Sequence, residues 1–151
     1  MIKIGLTLTT AVLALSMIGL KAPSDDHKAV KRAVQDYVEG FYEAKPELIE
    51  RGVHTDLVKY GFWRRTAEEK YKGGAMTFDQ AVELAKKWNA DGKQGTDLKY
   101  DIQLLDVADQ TAAAKLTAKW GIDYMHLAKN DKGEWKIHHV MWQSVSTDEE
   151  D

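Results

Sequence analysis

Cysteine is absent from all 151 residues. That excludes a disulfide, a thiolate nucleophile, a cysteine-held metal and a lipid-modified cysteine. Long basic runs are also missing: "KR", "RR" and "KK" are the longest. With a formal net charge of −3 and a pI near 6.0, the chain lacks the clustered basic face that nucleic acid requires. The same shortage argues against an anionic membrane surface as partner. No Ser-His-Asp order, glycine-rich phosphate loop or paired-carboxylate signature stands out, and there is no internal repeat or low-complexity segment.

What is present describes one globular domain. Hydrophobic residues make up 44% of the chain and charged residues 30%, enough apolar material for a single core and too short a chain for two comfortable ones. The N-terminus has its own character. Lys3 precedes an uncharged, mostly apolar run from Ile4 to Leu20, followed by Lys21 and Pro23. This is the pattern of an export leader, expected over residues 1–22. Ala22 and the Ala14-Leu15-Ser16 triplet both offer small residues for cleavage. Read instead as an uncleaved anchor, the run stands at the short limit for spanning a bilayer. Removal of the leader would make the mature chain more acidic, about −5, and place it in the periplasm or outside the cell.

The remainder, residues 23–151, reads as one domain. Ser24 and Asp25 can cap a helix. Ala29, Val30, Ala33, Val34, Tyr37, Val38, Phe41 and Tyr42 recur at helical spacing, with Lys31, Arg32, Gln35, Asp36 and Glu39 on the opposite face. Pro46 suits the first turn of a short second helix ending at Gly52. From Val53 to Ala75 the pattern is irregular, and "KGGAM" reads as a turn-rich break. Thr77 and Gln80 form a capping box for a third helix carrying Phe78, Ala81, Val82, Ala85 and Trp88 inward.

After Thr96 the period becomes two. "LKYDIQLLDV" alternates as a strand. "TAAAKLTAKWGIDYMHLAK" is one long strand or two, bent at Gly121. Asn130-Asp131-Lys132-Gly133 is a turn, and "EWKIHHVMWQSV" is the last strand. The acidic tail, 146–151, is expected to fray. Helices followed by an antiparallel meander predict an α+β domain: a cone of N-terminal helices packed on a strongly curved antiparallel sheet.

Three blocks carry a family resemblance: "AVKRAVQDYVEGFYEAKPELIERGVHTDLVKYG", "MTFDQAVELAKKWN" and "DYMHLAKNDKGEWKIHHVMWQ". Together they resemble the nuclear-transport-factor-2-like (NTF2-like) superfamily and, within it, the exported bacterial group labelled as lumazine-binding. The resemblance implies the cone fold, a pocket inside the cone, and a homodimer formed through the sheet. Isomerases, dehydratases, hydrolases and pure binders share that frame, so fold does not choose among them. One departure stands out. Members of the group tend to carry an apolar residue and then Asn where this chain has His138 and His139.

The candidate site follows from strand alternation. Tyr124 and His126 share one face of the "GIDYMHLAK" strand, and Asp123, Met125 and Leu127 share the other. With Tyr124 and His126 turned toward the cone, His126 becomes the central polar group of the pocket. Tyr124 is then a donor beside it, and His54 and Asp56 approach from the helical side. Tyr60, Trp88 and Trp142 complete the expected ligand-binding set. The bland alternatives are a structural His126 bonded across strands, and a loop-pinning His54 and Asp56. Tyr37 reads first as helix core and then as pocket wall. Arg64 and Arg65 read as an anion-binding pair or a solvated surface pair.

The two histidines 138 and 139 are adjacent in a strand and are expected on opposite faces. No metal and no cofactor are expected. The function expected is binding of a small aromatic or heterocyclic ligand. The alternatives are an enzyme moving protons with His126 and Tyr124 as its catalytic groups, and a dimeric interaction protein with no ligand.

Overall fold

The computed structural model describes residues 25–95 and 97–145. The expected leader, the Ser24 cap and the acidic tail lie outside the described residues. The first helix, α1 (Asp25–Tyr42), buries Val30, Val34, Tyr37, Val38 and Phe41 along the stripe its sequence spacing predicts. Pro46 sits in the first turn of α2 (Pro46–Gly52), where its missing N–H costs no helical bond. Both arms of the capping box at Thr77 and Gln80 are formed at the start of α3 (Phe78–Ala85).

Asp36 departs from its expected place on the polar face of α1. Its side chain is only 3% exposed. Arg51 of α2 grips it with two bonds of 2.6 Å, and Arg32 adds one of 2.7 Å. A carboxylate leaves water at small cost only when charged donors replace the water. Here those donors tie α2 to α1.

Six strands follow the helices or lie between them: β1 (Val53–Trp63), β2 (Lys72–Met76), β3 (Tyr100–Val107), β4 (Thr111–Ala118), β5 (Gly121–Lys129) and β6 (Trp135–Gln143). They form one sheet in the order β2-β1-β6-β5-β4-β3. The α+β class is as expected, and the meander β3-β4-β5-β6 is antiparallel. Two expectations need correction. The stretch from Val53 to Ala75 is largely sheet, and "KGGAM" is the strand β2, not a break. The sheet is also mixed, because β1 runs parallel to β6. The chain leaves β1, passes through β2, α3 and the meander, and returns beside β1 in the same direction. Only a long crossover permits that.

The core lies between helices and sheet. α1 packs against β3, β4 and β6, and α3 against β1. The sheet presents Leu116, Met125, Leu127, Ile137 and Val140 to them, all 2% exposed or less. Complete burial of each such side chain contributes about 1.5–3 kcal/mol. β4 and β5 are separate strands joined through Lys119 and Trp120. Gly121 opens β5 at φ +137°, and a β-carbon there would lie 1.9 Å from the Gln143 carbonyl oxygen. Only glycine fits that conformation and that approach.

Candidate functional site: an aromatic cavity around a buried lysine

The inner face of β5 carries Asp123, Met125 and Leu127, all buried, whereas Tyr124 and His126 are exposed. The grouping by alternation is therefore as expected, but the face turned toward the helices is the other one. His126 and Tyr124 point away from the cone interior, which corrects their expected orientation. Met125 and Leu127 pack into the core at 1% and 2% exposure, and the two-residue period then sends Tyr124 and His126 to the opposite face.

The remaining expected residues divide. Trp88 and Trp142 line the interior cavity, and so does Tyr37. Tyr60 lies on the outer face, 39% exposed, with its ring 5.2 Å from that of Phe62. His54 is half-buried beside β6. Asp56 is exposed, and its backbone N–H donates to His54 Nδ1 at 3.1 Å. Arg64 lies over the Tyr71 ring at 4.7 Å, and Arg65 pairs with Glu69 at 3.0 Å.

The two histidines of β6 do not alternate. The pairing of β5 with β6 shifts between His126 and Leu127, so two residues of β6 fit between core-facing Ile137 and Val140. Both imidazoles leave the core. His138 stacks on His54 with centroids 4.1 Å apart, and His139 meets His126 edge-on at 6.3 Å. Burial, with the neighbouring His54 and His139, lowers the His138 pKa. His126, His138 and His139 border a cleft of about 410 Å³ on this outer face. Among the described residues, no group of three or more His, Cys, Asp or Glu is arranged to hold a metal ion.

The interior cavity is built from every layer. Tyr37 and Phe41 come from successive turns of α1 and Lys59 from β1. Met76 ends β2, Leu84 lies on α3 and Trp88 just beyond it. Trp120 comes from the β4–β5 turn, and Trp142 from β6. The cavity measures about 90 Å³ and is partly open to solvent. Its walls are rings set edge to face: Trp88 on Trp120 at 5.2 Å and Phe41 on Trp120 at 5.6 Å. Gly61, the next inward position after Lys59, makes room for the Trp142 indole. A β-carbon on Gly61 would lie 1.7 Å from Trp142 Nε1.

One polar chain crosses this aromatic box. Lys59 Nζ donates to Tyr37 Oη. Tyr37 Oη donates to Asp123 Oδ1 at 3.3 Å, and Trp120 Nε1 donates to Asp123 Oδ2 at 2.6 Å. The Lys59 ammonium also lies 5.1, 5.7 and 5.6 Å from the ring centres of Tyr37, Phe41 and Trp142, a cation–π setting. No ion pair within 4 Å includes Lys59 among the described residues.

Burial shifts all three groups. It lowers the Lys59 pKa, with Asp123 partly opposing. It raises that of Asp123 against the pull of Lys59, Trp120 and Tyr37. It raises Tyr37 well above the usual phenol range, helped by the Asp123 charge, so Tyr37 remains a protonated donor. Burial therefore disfavours the charged forms of all three groups, which one hydrogen-bonded chain links together.

Lys59, Asp123 and Trp120 were not among the expected site residues. For Asp123 the signal was its place on the Met125–Leu127 face. Lys59 lies in the stretch whose pattern reads as irregular, and in the strand that forms there the outward positions Val58, Tyr60 and Phe62 are the more apolar set.

Residues 25–143 match the model of the family described as "Putative lumazine-binding". The chain belongs to this family. Among solved structures, it is similar to an NTF2-like protein of unknown function from Methylobacillus flagellatus. That match has 18% identity and a TM-score of 0.61, covering 83% of this chain and 97% of the other. A second NTF2-like protein of unknown function, from Silicibacter pomeroyi, is 15% identical with a TM-score of 0.59, covering 78% and 94%. A ketosteroid isomerase-like protein from Erwinia carotovora atroseptica is 15% identical at 0.54, covering 82% and 99%. These likenesses establish the NTF2-like fold of this lumazine-binding-family member. A search of curated proteins gives no match. Among the described residues, no helix is long and apolar enough to cross a membrane.

Proposed function

We propose that this protein binds a small planar molecule in the cavity between α1, β1 and β6, with an acceptor atom of the ligand on Lys59 Nζ. One observation carries the reading: a lysine buried to 7% exposure stands beside empty space walled by five aromatic rings. Burying an amine without an ion-pair partner is costly. A site of that kind is retained for what it does to a ligand more readily than for stability.

The cavity sets the size of the guest. At about 90 Å³ it is smaller than the roughly 150 Å³ that admits a benzene ring. A single ring enters with one edge in the mouth. Two fused rings, as in lumazine, require the Trp88 or Trp142 indole to swing outward. Titration of the full chain with lumazine and with single-ring heterocycles, followed by tryptophan fluorescence, tests this directly. Binding should weaken at least about tenfold in Lys59→Met, the loss of one buried hydrogen bond to the ligand, and stay within about twofold in His126→Ala. Equal affinity in wild type and Lys59→Met removes the cavity from the function.

Export and dimerisation belong to the same proposal. The leader pattern supports secretion to the periplasm or beyond, and N-terminal sequencing of the mature protein tests it. The outer sheet face leaves Val58, Tyr60, Phe62, Tyr124 and Met141 exposed. That apolar surface suits a second copy of this chain, and sedimentation analysis tests it.

A further inference from the structure

We propose that Lys59 is a nucleophile that condenses with a small aldehyde or ketone in the cavity, forming a protonated imine with Asp123 supplying the proton through Tyr37. The inference rests on the cavity being the ligand site. It goes further in assigning a covalent step and a substrate class, small carbonyl compounds.

Geometry is the first argument. Lys59 Nζ sits among the rings that wall the cavity, so a guest molecule lies against the amine. The volume suits a carbonyl carbon with a short substituent. The second argument is the hydrogen-bonded chain from Lys59 Nζ through Tyr37 Oη to Asp123 Oδ1. A shift of one proton along it turns ammonium and carboxylate into free amine and neutral carboxyl, with no change in net charge. Burial acts on both ends in the direction of that shift. A lysine desolvated in an apolar pocket is a recognised way to obtain an amine nucleophile at neutral pH. The third argument is retention of the acid. Trp120 Nε1 holds the second oxygen of Asp123 at 2.6 Å, which keeps the first oxygen directed at Tyr37.

The step balances. The Lys59 lone pair forms a bond to the carbonyl carbon, the C=O π pair moves to oxygen, and one nitrogen proton passes to that oxygen. The resulting carbinolamine then loses its hydroxyl. The nitrogen lone pair forms the C=N bond and the C–O bond breaks. A proton leaves Asp123 by way of the Tyr37 hydroxyl, which takes one and gives one, and departs with the oxygen as water. The product is an iminium on Lys59 facing the Asp123 carboxylate. Nothing is oxidised or reduced.

The test uses the full chain, propanal and sodium cyanoborohydride at pH 7, with peptide mapping by mass spectrometry. An exposed lysine has little free amine at that pH. Lys59 should therefore acquire its propyl group at least about tenfold faster than exposed Lys31. Tyr37→Phe keeps the ring and removes the relay oxygen. It should slow labelling of Lys59 by about tenfold while leaving Lys31 unchanged. Labelling of Lys59 no faster than Lys31 overturns the proposal. If a planar heterocycle still binds in that case, the cavity reading stands and only the imine falls; if nothing binds, both fall.

Discussion

Gly61→Ala examines the cavity wall with a single methyl group. In the native arrangement a β-carbon at this position would lie 1.7 Å from Trp142 Nε1, 2.1 Å from Cε2 and 2.4 Å from Cδ1. Carbon atoms rest at about 3.5–4.0 Å, so the indole edge must retreat by more than about 1.5 Å. The far end of the indole is not free to move without loss. It stacks on Trp63, with planes 7° apart and centres at 6.4 Å, and it lies over the Lys59 ammonium. Overpacking of this kind costs about 1–3 kcal/mol. Replacing glycine by alanine within a strand returns about 0.5–1 kcal/mol of backbone entropy. The net expectation is a destabilisation of about 1–2 kcal/mol with an unchanged dependence on urea concentration, because the folded area is conserved. Trp142 fluorescence should shift as the indole leaves its place, and ligand affinity should fall with it. A urea midpoint within error of wild type, with the same emission spectrum, would refute the close approach of Gly61 to Trp142 and with it the shape of the cavity.

Two further outcomes follow from charge. In the native state the Asp123 pKa is raised by burial, so between the unfolded carboxyl value near 4 and the native one the folded protein holds the extra proton. That contribution to stability is complete below the unfolded value and is lost as pH rises through the native one. Asp123→Asn removes it, and also removes the charge that partly supports the Lys59 ammonium. Wild type should therefore lose stability relative to Asp123→Asn as pH climbs from 4 to 7, read from urea midpoints; a constant or opposite difference would refute the raised carboxyl. Asp36→Ala should cost about 2–3 kcal/mol, because bonds to two guanidinium groups are lost and α2 is released from α1. A change under about 0.5 kcal/mol would show that these bonds merely exchange with water.

Local pattern was sufficient for much of this fold. Helical spacing from Ala29 to Tyr42 placed α1, and the reciprocal bonds of Thr77 and Gln80 placed the start of α3. The period of two after Thr96 placed the meander, and Asp123 was separated correctly from Tyr124 and His126. Each depends on residues within a turn or two of one another, so the chain needs no knowledge of its remote parts. The likeness of three blocks to the NTF2-like superfamily added the overall frame.

Tertiary structure decided the rest, because a strand has two faces and alternation alone does not say which is inside. β5 follows the usual rule of apolar residues inward: Asp123 turns in on the face of Met125 and Leu127, which pack in the core. β1 breaks the same rule: Lys59 and Gly61 face inward while Val58, Tyr60 and Phe62 face outward. An amine became interior because Tyr37, 22 residues away, offers it a partner, and a glycine because Trp142 fills its space. The bulge in β6 put His138 and His139 on one side against local expectation. Such choices depend on partners brought together by the sheet, and those partners exist only once the whole chain has closed around them.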